Sequence, residues 1–449
     1  MTRRRLSALL LLFVFVFTTG CAGETADEPS RRPPSAPAEE THAPTPPPAA
    51  EVTPTAAPTP APTPSPAPSP EPTPEPDPVR EQLEGMTLEE KVGQLLVAGI
   101  GGTEPGEDGR AAVQDYHAGG VILFSRNVES APQLTKLTND LKALAGDGVP
   151  LFLCVDEEGG RVSRMPPEVA DLPSAYTFGQ TGDAAVGYAL GQALAAECAA
   201  FGINLDFAPS LDIWSNPDNT VIGDRSYGAT AEAVEAIGPW VAWGMIDAGV
   251  IPTVKHFPGH GDTSVDSHVG LPVVDRSLEE LRGRELLPFQ AAIGGTEDRT
   301  GVPAVMVAHI LMTTIDPDYP ASLSPKVVTG LLREELGFDG LVCTDDLTMG
   351  AIAERYSVGE AAVLAVEAGC DLLLVCHKTE NLEAAYTALL RAVTGGRISE
   401  ARLDESVYRI LSLKAEYGIT SQPVSEPDVA ALNETISAIL PELAETPAE

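Results

Sequence analysis

The segment Lys255-His256-Phe257-Pro258-Gly259-His260-Gly261-Asp262 runs on through Thr263-Ser264-Val265 into Asp266-Ser267-His268. A cationic pair follows the apolar run 250–254. A glycine-bearing loop then brings a carboxylate two residues ahead of a histidine. A carboxylate at that spacing can hold the imidazole in one tautomer and raise its basicity, which suits proton transfer to and from a reacting group. The bland alternative is a loop histidine in an ordinary polar hydrogen bond. Gly259, Gly261 and Gly270 give this loop the freedom to carry the imidazole to a pocket. His256, His260, Asp262, Asp266 and His268 are also of metal-ligating types. Pro258 and Gly259 break any helix between His256 and His260, so the i,i+4 ligand spacing is lost, and no Cys/His cluster stands elsewhere. The expectation is no metal and no cofactor.

Such residues need a scaffold that turns them toward one place. Short apolar runs recur at 95–100, 121–124, 151–155, 203–208, 251–256, 304–308, 341–344 and 371–375. Most are apolar throughout, as parallel strands covered on both faces are. Helical patterns fall between them at 184–200, 231–248, 278–292 and 326–336, with a last one at 400–417. The expectation is an α/β fold, a (β/α)8 TIM-type barrel forming a single catalytic domain. A doubly wound open sheet is the alternative, because periodicity cannot tell closed from open.

In such barrels chemistry sits where strands end. The runs end in Asp156-Glu157-Glu158-Gly159-Gly160-Arg161, in Lys255-His256, in His309, in Thr344-Asp345-Asp346 and in His377-Lys378. Ionisable groups directly after apolar runs predict one rim pocket. Asp345 is the candidate nucleophile, aimed by its strand, while Asp346 is better placed for the structural work of capping a helix. Arg161, Arg164, Arg225 and Lys255 ring that rim. Hydroxyls of a neutral ligand and an anion are both open as their partner, and Arg225 has Asp224 beside it as a merely structural one.

The chain has 449 residues and a formal charge of −37, which argues against nucleic acid and anionic membrane as partners. Arg3-Arg4-Arg5, a short apolar run and Thr18-Thr19-Gly20-Cys21 resemble a bacterial lipoprotein signal over 1–21, with Cys21 lipidated. The expected location is extracytoplasmic, with membrane contact through that N-terminal lipid anchor only. Residues 22–78 are rich in Pro, Thr and Ala and too poor in apolar groups to fold. As an extended stalk of ~3.1 Å per residue they reach on the order of 150 Å. The barrel is expected over 79–418 and an acidic tail, with one amphipathic helix near 430–443, over 419–449. Cys154, Cys198, Cys343, Cys370 and Cys376 read as small buried hydrophobes rather than a disulfide framework.

Several motifs stand in order: Asp156-Glu157-Glu158-Gly159-Gly160-Arg161-Val162-Ser163-Arg164, Gly223-Asp224-Arg225-Ser226-Tyr227, the Lys255 to Asp262 run, Asp266-Ser267-His268, and Thr344-Asp345-Asp346-Leu347-Thr348-Met349. Together they resemble the β-N-acetylglucosaminidase branch of glycoside hydrolase family 3, over residues 79–418. The resemblance implies Asp345 as nucleophile and His268 as acid/base, oriented by Asp266. It implies that Asp156, Arg164, Arg225, Lys255 and His256 hold a terminal N-acetylglucosamine. The implied partner is a carbohydrate: cell-wall fragments, muropeptides or chito-oligosaccharides. Glu157 departs from the family pattern, which has Gln or another residue there. A family 3 β-glucosidase and an N-acetylglucosaminide phosphorylase are the neighbouring alternatives. A lipid-anchored solute-binding protein is the alternative that is not an enzyme.

Overall fold

The computed structural model describes residues 76–263, 267 and 270–440. Cys21, the stalk up to residue 75, Asp266 and His268 lie outside the described residues.

Eight parallel strands close into a barrel, each paired to its neighbours in chain order and the last to the first. They are β1 (Leu96–Gly99), β2 (Gly120–Ile122), β3 (Phe152–Val155), β4 (Leu205–Asp206), β5 (Ile251–Phe257), β6 (Ala304–Val307), β7 (Leu341–Asp346) and β8 (Leu372–Val375). All eight expected runs are barrel strands, and the open-sheet alternative falls on the β1–β8 pairing, Leu96 opposite Leu373. Leu, Val, Ile and Phe along the strands are buried because helices cover the outer face while side chains fill the inner one. The five described cysteines are buried free thiols in this core.

Polar caps start the helices. Asp183 caps Ala184–Ala200, Thr230 caps Ala231–Asp247 and Ser399 caps Glu400–Glu416, each accepting a backbone N–H of the first turn. The helix expected at 278–292 is instead two, Leu278–Arg282 and Leu287–Gly294. Pro288 is the reason: it has no N–H to give Arg284, so it fits only in the first turn of a new helix. The helix at 326–336 is wound wide, with Leu336 N–H reaching the Leu331 carbonyl five residues back. In the tail, Val429–Ile439 is helical; Ile436 is buried and Asn433 bonds the backbone of Glu168 and Ala170. Among the described residues no helix is long and apolar enough to cross a membrane.

Helices Ala184–Ala200 and Ala231–Asp247 pass so closely that glycine is required. A Cβ on Gly191 would lie 2.0 Å from the Val241 carbonyl oxygen, and one on Gly244 2.2 Å from that of Tyr188. The obstacle is backbone, so no rotamer change relieves it. Gly191→Ala is therefore expected to cost about 1–3 kcal/mol, read as a lowered thermal midpoint. An unchanged midpoint would refute the close packing.

Candidate active site

The C-terminal strand ends surround one cavity of about 570 Å3, a volume ordinary for a small-molecule site. Asp156, Glu158, Arg164, Arg225, Lys255, His256 and Asp345 all line it. The rim pocket read from the strand ends is thus present, although its members are not all those expected.

Glu158 organises one wall. Its carboxylate accepts Arg225 Nε and Nη2, both at 2.8 Å, and lies 2.6 Å from Lys255 Nζ. Lys255 Nζ also donates to Asp156 Oδ1 at 2.8 Å. Burial pushes the Glu158 carboxyl up, but Arg225 and Lys255 outweigh it and hold it well below the usual range. Burial likewise works against the Lys255 ammonium, and Asp156 and Glu158 more than offset it. Two cations face two carboxylates, so the wall is balanced in charge. Arg225 therefore pairs with Glu158 and not with Asp224, which goes to Arg161 at 2.7 Å. Arg161 also donates to the carbonyls of Thr220, Val221 and Ile222 and so ties the loop bearing Arg225 to the one after β3.

Lys255 and His256, joined by a cis peptide bond, both line the cavity. Asp212 accepts His256 Nδ1–H at 2.6 Å, leaving Nε2 as an acceptor, 3.5 Å from Arg225 Nη2. Burial raises the Asp212 carboxyl, yet His256 and His260 pull it down to about 2. Arg164 gives Nη1 to the Ser163 carbonyl, and its buried Nε has no partner.

Asp345 lies at the end of β7 and opens no helix, since the next helix starts at Gly350. Burial pushes its carboxyl up; His309, His256, the Asp346 N–H and Lys255 together bring it below its ordinary value. Asp346 takes the structural work: it accepts Thr348 N–H and Oγ1–H and reaches Cys376 N–H just past β8. It caps a turn, whereas a helix cap was expected, because Thr348 and Met349 intervene before the helix.

His309 is not on the rim. It is fully buried, its Nε2–H donates to the Asp346 carbonyl at 3.0 Å, and its Nδ1 accepts Ser322 Oγ–H at 2.7 Å. It steadies the backbone beside Asp345 from behind. Lys378 does not line the cavity, whereas His377 does, stacked on Phe124. His260 bonds Thr263 Oγ1 and Ser267 Oγ, and burial lowers it to about 4. Asp262 is taken by Arg276. Ser267, the residue between Asp266 and His268, lines the cavity and accepts Ala351 N–H through its carbonyl.

Glu158 and Asp212 are functional residues that sequence reasoning missed. Each carried a signal. Glu158 follows Asp156 by two at a strand end, and Asp212 is a lone charge between Leu211 and Ile213. A charge inside an apolar run is buried, and a buried charge needs a partner.

The sequence model described as the N-terminal domain of glycosyl hydrolase family 3 matches residues 87–413. A β-hexosaminidase of Methylococcus capsulatus is 42% identical over 276 residues, covering 61% of this chain and 79% of that protein. The β-hexosaminidase LpqI of Mycobacterium tuberculosis is 38% identical over 334 residues, with 72% and 82% covered. A solved glycoside hydrolase family 3 β-N-acetylglucosaminidase from a Paenibacillus species is 46% identical, with a TM-score of 0.74 over 79% of this chain and 69% of that one.

Removing Glu158 leaves Arg225 without its carboxylate partner and Lys255 with Asp156 alone, so Glu158→Ala is expected to cost about 3–5 kcal/mol. Asp224→Ala, which breaks an exposed pair, is expected to cost less than about 1 kcal/mol. Urea unfolding of both variants checks this, and equal losses would remove Glu158 from its organising role.

Proposed function

This chain belongs to glycosyl hydrolase family 3 and is a glycoside hydrolase; from that premise we propose that it works as a retaining exo-β-N-acetylglucosaminidase. The observation that carries the proposal is Asp345. It is a carboxyl kept ionised despite burial, in the same cavity as five groups able to hold a sugar. An ionised carboxylate is the nucleophile that the retaining scheme requires.

The wall supports a neutral polyol over an anion. Its positive charge is already matched by Asp156 and Glu158, yet donors remain. Lys255 spends two of three N–H bonds on carboxylates, and Arg164, which gives Nη1 to the Ser163 carbonyl, lines the cavity. Asp156 and the His256 Nε2 lone pair accept. Donors and acceptors together fit sugar hydroxyls, each of which gives and takes a hydrogen bond.

In the proposed reaction Asp345 attacks the anomeric carbon while protonated His268 gives its proton to the departing oxygen. A covalent glycosyl-Asp345 forms through an oxocarbenium-like state. His268 then takes a proton from water, whose oxygen displaces Asp345 and leaves the β configuration intact. Asp266 orients His268. The presence of Ser267 on the cavity wall supports these two roles. The terminal N-acetylglucosamine would come from muropeptides or chito-oligosaccharides. The Arg3–Arg5 run and Cys21 support a lipid-anchored, extracytoplasmic enzyme.

The test is p-nitrophenyl N-acetyl-β-glucosaminide beside the glucoside and the xyloside, each with and without phosphate. Release is expected for the first substrate and in water alone. Asp345→Asn is expected to lower kcat by at least about 10³-fold, the scale for loss of a reacting group. Hydrolysis by Asp345→Asn at the wild-type rate would end the proposal. Release that depends on phosphate would reassign the acceptor.

A further inference from the structure

Behind the cavity wall lies a second group of carboxyls that the reaction does not use. Glu157, at the end of β3, Asp206, at the end of β4, and Glu197, on helix Ala184–Ala200, are each no more than 1% exposed. Glu157 N–H donates to Asp206 Oδ1 at 2.8 Å. Cys198 Sγ lies 3.9 Å from Asp206 Oδ2, and Glu197 Oε2 has no hydrogen-bond partner.

The Glu157 side chain also closes the hairpin that follows β3. One carboxyl oxygen accepts Ser163 Oγ–H at 2.8 Å and Arg164 N–H at 2.6 Å; the other accepts Gly159 N–H at 3.3 Å. Arg164 lines the cavity, and its backbone N–H is fastened to Glu157 directly. We propose that Glu157 is the positioning residue for Arg164, and that it acts by closing the hairpin through these three accepted bonds. This rests on the reading above that Arg164 holds the sugar.

All three hairpin bonds are donations to the Glu157 carboxyl. An amide at this position keeps an oxygen to accept Ser163 Oγ–H and Arg164 N–H, which share one carboxyl oxygen, whereas alanine keeps no acceptor.

The experiment measures KM and kcat separately for p-nitrophenyl N-acetyl-β-glucosaminide on the full chain. Glu157→Ala should raise KM by about tenfold, with a smaller effect on kcat, as expected for a lost binding group. Glu157→Gln keeps an acceptor and should bring KM back to within about twofold of wild type. An unchanged KM in Glu157→Ala, or a KM in Glu157→Gln as high as in Glu157→Ala, overturns the inference. The thermal midpoint is a second readout that needs no substrate. It should fall in Glu157→Ala and fall less in Glu157→Gln, and equal falls would also overturn the inference. If wild type cleaves no N-acetylglucosaminide, the functional reading has failed, and these midpoints still decide whether Glu157 closes the hairpin.

Discussion

A single buried carboxylate, Glu158, fixes where the ligand-facing charges of this barrel stand. It draws Arg225 from the loop after β4 and Lys255 from β5 onto the end of β3, and Lys255 in turn holds Asp156. Burying the ionised Glu158 and Lys255 is expensive, and such a network is rarely retained for stability alone. What it gives is geometry. Three elements distant in sequence are locked at one rim, with their donors aimed and their charges balanced. A balanced wall also governs what can enter. An isolated Arg–Lys pair would trap any passing anion, whereas one already neutralised offers hydrogen bonds to a neutral ligand.

The architecture was written plainly in the sequence. Strands covered on both faces leave uninterrupted apolar runs, and every such run here became a barrel strand. The rim could be read too, because Asp156, Lys255, His256 and Asp345 stand directly where those runs stop. Pairing could not be read. Asp224 adjoins Arg225 in sequence and looks like its partner, but the partner is Glu158, 67 residues away. Pairing of both strands with β4 brings the ends of β3 and β5 together. The same limit applies to Asp212 and His256, and to His309, whose place at a strand end suggested the rim although its side chain turns inward to the Asp346 carbonyl. Strand ends show which residues are near the site, while side-chain direction depends on through-space partners.

Burial alone does not decide the charge state of an acid in this molecule. Asp345 and Glu157 stand at the ends of two strands on opposite sides of one barrel, and desolvation is the largest influence on both, acting upward in each case. They differ in what faces them. Asp345 meets His309, His256, a backbone N–H and Lys255, and remains an anion fit to attack carbon. Glu157 meets the N–H groups of Arg164 and Gly159, the Ser163 hydroxyl and the Arg164 charge, which together do not offset its burial, and its carboxyl stays raised. The Asp156–Glu158 turn shows the division within three residues: Asp156 and Glu158 face Lys255 and Arg225 on the cavity side, while Glu157 turns to Ser163 and Arg164 N–H of the hairpin. The sidedness of Lys255 and Arg225 therefore divides the acids that line the cavity from one that fastens the scaffold, without any difference in residue type.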